Sequence, residues 1–198
     1  MRSFAIGLFA SAMAFCAICL IFLTLTAVKA KITQPRPQTF QADVGIKDGS
    51  VIFWKDGVLV KPISKHTGSD ITHAAIVLGG YVYEAVPPCV RKVTLEQYVK
   101  EMNAKAKKPA MQRRGFTWTV VQPKKSYTTV EDSKMREYAE AQLGRPYMLR
   151  GWWKGHEVRG IFCSQYVSNT LERGGRIKSG SIHESPGSLF NKIKDLYQ

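Results

Sequence analysis

Residues 72–86 read THAAIVLGGYVYEAV and carry the strongest local signal for secondary structure in the chain. Two runs of apolar, β-branched and aromatic residues flank Gly79-Gly80, a pair typical of the two-residue turn of a β-hairpin. We therefore predict an antiparallel pair of strands around this turn. In that register the numbers of paired residues sum to about 159, which makes Glu84 the diagonal neighbour of His73 on the same face.

The rest of the chain predicts strands first and helices later, which indicates an α+β fold. Thr94-Leu95-Glu96-Gln97 matches a capping box at the start of a helix. Ser185-Pro186 supplies an N-cap residue and a proline at the first helical position. The predicted strands are 51–54, 72–78, 81–86 and 117–121, and the predicted helices are 94–102, 129–143, 163–173 and 185–197.

The N-terminus predicts the compartment. Residues 3–28 carry no charge and are long enough to span a bilayer, which needs about 20 residues. Val28-Lys29-Ala30 loosely fits a signal-peptide cleavage site. We predict an apolar helix in 1–30, either a cleaved signal or a transmembrane anchor, then a linker over 31–43 and a folded domain over 44–198. The domain is expected to be exported to the periplasmic or extracellular face.

The composition is strongly basic, with 29 Lys and Arg against 15 Asp and Glu and a net charge of +14. Because the first thirty residues contribute two basic residues and no acid, the remainder carries +12. Such a charge favours anionic partners such as lipid headgroups or acidic cell-wall polymers. Nucleic acid is not an expected partner, since no zinc-finger spacing, recognition helix or RNA-binding aromatic motif is present.

Four cysteines are present. Cys16 and Cys19 lie in the apolar N-terminal run, where cysteine behaves as a small apolar residue. Cys89 and Cys163 lie in the folded part, where a disulfide between them remains an alternative in an oxidising compartment. No cysteine pair outside the N-terminal run has zinc-ligand spacing, and a metal site on His66 and His73 has no carboxylate–histidine cluster to support it.

Cys163 is the candidate nucleophile. It opens a predicted helix after an apolar approach, and the free amides of a helix N-terminus stabilise a thiolate. His73 begins a buried strand after a loop, which suits a base at the rim of a cleft. Glu84 could orient that imidazole as the third member of a triad. Taken singly, each residue also has an ordinary structural role: a buried cysteine, a core histidine or an exposed strand carboxylate.

Four motifs in order carry a family resemblance: THAAIV, VYEA, LGRPY and FCSQYV, within residues 45–175. The chain resembles the circularly permuted papain-like enzymes of the YiiX/YaeF type, relatives of NlpC-type cell-wall peptidases and of lecithin–retinol acyltransferase. The resemblance implies an antiparallel sheet packed against helices, with the catalytic histidine preceding the cysteine.

By this resemblance Cys163, His73 and Glu84 form the catalytic triad, and Tyr147 and Ser164 belong to the substrate or oxyanion site. The backbone amide of Cys163 is the natural oxyanion donor. The chain departs from the family in having Asp-Gly-Ser before the first strand rather than Gly-Asp, and a glutamine directly after the cysteine–serine pair. These departures affect the substrate pocket and remove no catalytic atom.

The sequence thus predicts a thiol amidase or peptidase that works through an acyl-enzyme, without metal or cofactor, on an amide- or ester-containing substrate such as a peptidoglycan peptide. Lipid amide or ester hydrolysis, or acyl transfer, is the alternative within the same fold. A membrane-tethered, non-catalytic module that binds anionic polymer is the alternative from another class. The sequence does not predict an oligomeric state.

Overall fold

One antiparallel sheet of five strands organises the protein, as the computed structural model shows for residues 45–56, 69–148, 159–178 and 184–198. The strands are β1 Val51–Lys55, β2 His73–Leu78, β3 Tyr81–Ala85, β4 Val90–Thr94 and β5 Thr117–Val121. Their spatial order is β4-β3-β2-β1-β5. The sheet and its flanking helices confirm the predicted α+β class.

Five helices are described: α1 Leu95–Lys107, α2 Pro109–Arg113, α3 Thr129–Ala141, α4 Cys163–Arg173 and α5 Pro186–Ile193. Side-chain caps fix several of their starts. Thr128 and Glu131 form a reciprocal capping box at α3, and Ser185 and Ser188 form another at α5. Such caps satisfy amides that the first helical turn leaves unbonded.

The sheet is covered on both faces because its strands alternate apolar side chains to either side. One face packs Phe53 and Ile76 against Met135 of α3, Leu171 of α4 and Leu189 of α5. The other face packs residues of β1, β2 and β3 against the buried side of α1, which consists of Tyr98, Val99, Met102 and Ala106. The central hairpin therefore lies between two helical layers.

The central hairpin has the predicted register. Ile76 pairs with Tyr83 and Val77 with Val82, so each pair sums to 159. Both turn glycines, Gly79 and Gly80, have positive φ, which is the conformation that a primed hairpin turn requires. This confirmed register fixes which side chains stand beside His73.

Four local predictions were wrong, the first being the end of α5, which stops at Ile193 rather than at residue 197. Val90–Thr94 forms an edge strand, β4, that the sequence analysis did not predict. Helix α1 continues past residue 102 to Lys107, and the short helix α2 follows it. The first capping box is only half formed, because Thr94 accepts a bond from the Gln97 amide at 3.2 Å while the Gln97 side chain donates to Glu101 at 2.9 Å.

The predicted apolar helix in 1–30 and the linker over 31–43 lie outside the described residues. Within the described ranges, no helix is both long enough and apolar enough to cross a bilayer. All the described residues fall in one compact unit.

Candidate active site

The thiol of Cys163 lies at the start of α4, where the sequence predicted it. The residue before it, Phe162, is the N-cap and supplies no side-chain hydrogen bond, so the first-turn amides remain available. The backbone N–H groups of Ala74 and Ser164 donate to the sulfur. Cys163 is only 4% exposed. The thiol is therefore buried in a cradle of backbone donors that favours its ionised form.

His73 is the first residue of β2 and lies beside the thiol. Its Nε2 is 2.8 Å from Oε2 of Glu84, and its ring also hydrogen-bonds Cys163. Because Glu84 occupies Nε2, Nδ1 is the ring nitrogen left for the thiol. The ring of Trp54 packs on the imidazole with the centroids 4.5 Å apart. The imidazole is thus fixed from three sides.

Cys163, His73 and Glu84 meet at the end of the sheet. By strand alternation, His73 and Glu84 point to the face covered by α1, whereas α4 packs on the opposite face. They reach one another because His73 begins its strand and Cys163 begins its helix. The observed pairing of β2 with β3 begins at Ile76, so the N–H of Ala74 is not used by that ladder and can serve the thiol.

Glu84 is almost completely buried, with 1% of its surface exposed. Its second oxygen, Oε1, accepts a hydrogen bond of 2.7 Å from Nε of Arg91, which lies directly opposite it on β4. The hydroxyl of Tyr98, on α1, lies 3.4 Å from Oε2. A carboxylate this deeply buried needs such partners to stay ionised.

The electrostatics favour an ion pair between Cys163 and His73. Burial alone would lower the pKa of His73, but the charge of Cys163 and hydrogen bonds to Cys163 and Glu84 raise that pKa to about 9. Burial alone would raise the pKa of the Cys163 thiol, yet the imidazolium and the two backbone amides lower it. The pKa of Glu84 is also lowered: burial opposes ionisation, but the contacts with His73 and Arg91 outweigh it.

Tyr147 and Ser164, the two predicted substrate or oxyanion residues, are placed differently. Tyr147 is partly buried close to the thiol; burial raises its pKa, and the charge of Cys163 raises it further. The hydroxyl of Ser164 donates to the carbonyl of Glu184 at 2.6 Å and therefore points away from the thiol. Only the backbone N–H of Ser164 faces the sulfur.

Sequence reasoning missed three residues of this site: Trp54, Arg91 and Tyr98. Trp54 pairs directly with His73 across β1 and β2. A prediction of the register between β1 and β2, like the one made for the hairpin, would have placed Trp54 beside His73. The roles of Arg91 and Tyr98 depend on contacts of β4 and α1 with β3, which no local pattern shows.

In the described part of the chain, the cysteine and histidine residues form neither a disulfide nor a metal site. Cys89 and Cys163 are both free thiols, so the alternative of a disulfide between them is not realised in this structure. The described residues contain no group of three or more His, Cys, Asp and Glu side chains that could hold a metal ion. His66, the alternative metal ligand of the sequence analysis, lies outside the described residues.

Comparison with known proteins shows that this fold is similar to that of a solved structure. The structure is similar to the crystal structure of a protein from Escherichia coli O157:H7 described as metalloprotein yiiX, DUF1105. The TM-score is 0.54 and the identity 18%, over 77% of this chain and 95% of that chain. No family model matches the sequence, and the search of curated proteins returned no match. The chain thus has a fold of the YiiX kind, and the description as a metalloprotein belongs to the bacterial protein.

Proposed function

We propose that this protein is a thiol hydrolase of the circularly permuted papain-like type, in which Cys163, His73 and Glu84 cleave an amide or ester bond. One observation carries the proposal: the Cys163 thiol hydrogen-bonds an imidazole whose other nitrogen is held by a buried carboxylate. A nucleophile, a base and a group that orients the base, in this order of contact, are the parts that covalent acyl transfer needs.

The reaction would begin from the ion pair. The Cys163 thiolate attacks the carbonyl carbon, and the carbonyl electron pair moves to oxygen. When the tetrahedral intermediate collapses, the bond to the leaving group breaks and the His73 imidazolium gives that group its proton. Neutral His73 then takes a proton from water, the hydroxide attacks the thioester, and the acid product leaves as the thiolate and imidazolium are restored.

The amides of the first turn of α4 would stabilise the tetrahedral intermediate. The N–H of Cys163 belongs to the group of helix-start amides that have no acceptor within the helix. Removing one such donor in other hydrolases costs about 2.7–4 kcal/mol of transition-state stabilisation. Because these N–H groups are backbone atoms, substitution of Ser164 alone would not remove them.

The proposed substrate follows from the expected location. Export of the domain makes peptidoglycan stem peptides the first candidate, since they present amide bonds outside the cytoplasm. Lipid amides or esters are the alternative if residues 1–30 remain as an anchor. In either case the chemistry at Cys163 is the same, and a second nucleophile in place of water would turn hydrolysis into acyl transfer.

Trapping the acyl-enzyme tests the proposal. The full-length protein is incubated at neutral pH with para-nitrophenyl acetate, and the acetyl group is located by peptide mass spectrometry. We expect rapid acetylation of Cys163, slow acetylation of Cys89, and loss of the rapid reaction in His73→Ala. Equal and slow modification of both cysteines would refute a nucleophilic role for Cys163.

The basic surface favours a second candidate, a module that binds anionic polymer without catalysis. Residues 102–130 contain seven Lys and Arg and no acid, and Lys107, Lys108 and Arg113 are exposed around α2. This candidate predicts binding to an anionic polymer such as teichoic acid that weakens steeply with salt and survives Cys163→Ser. Binding without any acylation of Cys163 would favour it over the hydrolase.

A further inference from the structure

A second buried carboxylate, that of Glu184, lies outside the triad and directly before the N-cap of α5. The residue is only 5% exposed. Its Oε2 accepts hydrogen bonds from the hydroxyl of Ser168 at 2.9 Å and from the ammonium of Lys192, and its Oε1 lies 3.0 Å from the hydroxyl of Ser188. Two hydroxyls and one cation thus replace the water that burial takes from this carboxylate.

The contacts of Glu184 join two helices. Ser168 belongs to α4, whereas Ser188 and Lys192 lie one turn apart on α5. Helix α5 is itself fixed, because Leu189 is fully buried in the core against the sheet. A satisfied network of directional hydrogen bonds specifies one arrangement of the elements that it connects. Glu184 therefore holds α4 at a defined place on α5.

The backbone of Glu184 reaches the residue next to the nucleophile. Its carbonyl oxygen accepts the hydroxyl proton of Ser164 at 2.6 Å. The backbone N–H of Ser164 in turn donates to the Cys163 sulfur. Because Ser164 is completely buried, bulk water does not compete for its hydroxyl. Ser164 is thus bonded on one side to Glu184 and on the other side to the thiol.

The first turn of α4 needs such a contact, because its N-cap residue, Phe162, supplies no side-chain hydrogen bond. A helix start without a side-chain cap is prone to fraying. Yet this turn must keep the Cys163 sulfur within reach of His73 and of the N–H of Ala74, which both belong to β2. The bond from Ser164 to Glu184 holds the turn where a cap would otherwise do so.

We propose that Glu184 is a positioning residue of the active site, which acts through Ser164 to hold the Cys163 thiol against His73 and the Ala74 amide. The effect on the thiol stands on these contacts alone, whereas any effect on turnover rests on the proposed function. A displacement of about 1 Å in an active site can cost roughly 100-fold in rate. A carboxylate that is not a member of the triad therefore sets how well the triad works.

The pH profile for alkylation of Cys163 measures the effect on the thiol, because its acidic midpoint follows the thiol pKa. The full-length protein and its variants are treated with iodoacetamide between about pH 3.5 and 8, and the rate at Cys163 is read by peptide mass spectrometry. We expect Ser164→Ala to raise that midpoint by about half a unit to one unit, since weaker hydrogen bonds to a thiolate raise its pKa. The other groups that act on the thiol, His73 and Tyr147, are unchanged in this variant. An unshifted midpoint would overturn the proposal.

Thr170→Val is the matched control for Ser164→Ala. Thr170 carries a completely buried hydroxyl on the same helix, and that hydroxyl donates to the Tyr166 carbonyl at 2.8 Å rather than to Glu184. The control should lower the midpoint of urea denaturation about as much as Ser164→Ala does, and it should leave the alkylation midpoint unchanged. An equal shift of the alkylation midpoint in both variants would reveal a general effect of destabilisation and would also overturn the proposal.

Glu184→Gln keeps the size of the side chain and separates positioning from charge by the sign of its effect. Removal of a nearby anion would by itself lower the pKa of the Cys163 thiol, whereas a loosened first turn would raise it. We expect a rise, and no further rise when Glu184→Gln is added to Ser164→Ala, because both act through the same contact. A fall or no change in the single variant, or additive rises in the double variant, would exclude the role of Glu184. The single variant decides the question by itself if Ser164→Ala does not fold.

Acylation by para-nitrophenyl acetate connects the positioning role to the proposed function. At neutral pH we expect Ser164→Ala to lower kcat and kcat/KM roughly tenfold alike, since a displaced helix start stabilises the tetrahedral intermediate less. Thr170→Val should keep the wild-type values. Wild-type values in Ser164→Ala would refute any effect of positioning on turnover. If the wild-type protein itself is not acylated at Cys163, the proposed function fails, whereas the alkylation profiles still decide whether Glu184 positions the thiol.

Discussion

Replacing His73 by alanine gives the sharpest test of the ion pair. In the wild-type protein the imidazolium and two backbone amides hold the pKa of the Cys163 thiol down against the effect of burial. The variant keeps the burial and the amides and loses the cation. We therefore expect the pKa of Cys163 to rise, so that the thiol is protonated at neutral pH.

The magnitude follows from the geometry. A thiolate and an imidazolium in hydrogen-bond contact have charges about 4 Å apart, and at an effective dielectric constant of about 20 they attract by about 4 kcal/mol. That energy corresponds to a rise of about three pKa units for the Cys163 thiol, which lowers the thiolate fraction by at most roughly 1000-fold. A thiolate of higher pKa is more nucleophilic, which offsets roughly twentyfold of that loss. The net loss of reactivity near neutral pH is therefore at most roughly 50-fold.

The assay is alkylation by iodoacetamide between pH 5.5 and 10, with the rates at Cys163 and Cys89 resolved by peptide mass spectrometry. The wild-type rate at Cys163 should be nearly independent of pH from about 6 to 8, because the thiolate is already formed. In His73→Ala the rate should rise about tenfold per pH unit and should equal or exceed the wild-type rate near pH 10. Cys89 serves as the internal control, with the same profile in both proteins.

Two outcomes would refute the ion pair. A wild-type rate at Cys163 that rises tenfold per pH unit from 6 to 8 would show that the thiol is protonated at neutral pH. A profile unaffected by His73→Ala would show that the imidazole does not act on the sulfur. Uniform slowing at every pH would indicate a change of access rather than of ionisation.

Two further predictions concern the carboxylate and a tight turn. The charge and contact of Cys163, together with the contact of Glu84, raise the pKa of His73 to about 9, and Glu84→Gln removes the second of these contributions. Since the imidazolium exists below that pKa and is lost above it, NMR titration of His73 should show the midpoint falling by about one to two units. An unshifted midpoint would contradict the role of Glu84. Gly49→Ala places a Cβ 2.3 Å from the Tyr127 ring at φ 81° and should lower the free energy of unfolding by roughly 3 kcal/mol in urea denaturation. Gly115→Ala, at φ 67° with no atom within 4 Å of the new Cβ, should cost only about 1–2 kcal/mol, and equal losses would exclude the clash.

The sequence predicted the central hairpin well because local signals and tertiary structure agree there. Gly79-Gly80 can adopt the positive φ values of a tight hairpin turn, and a two-residue turn leaves one register for the strands that it joins. Helix α4 was predicted with its observed limits, Cys163–Arg173, because an apolar stripe and a glycine stop signal coincide.

The edge strand β4 was missed for a physical reason. Its sequence, Val90–Thr94, contains two adjacent basic residues, and the strand is buried only at Val90. Charged side chains are common on edge strands because they discourage further pairing, and they also hide the apolar alternation that marks a strand. The predicted end of helix α1 was too early. Ala106 packs against the sheet, but the basic residues that follow it resemble a loop in the sequence.

What the sequence could not reveal is how the site keeps its carboxylate charged. Glu84 lies on a central strand, and the cation beside it, Arg91, comes from the edge strand that local patterns did not predict. Without Arg91, only the contacts with His73 would oppose the effect of burial, so the pKa of Glu84 would rise, and a less strongly ionised carboxylate would stabilise the imidazolium of His73 less. If Cys163 is the nucleophile, its reactivity therefore depends on a residue that touches neither the thiol nor the imidazole.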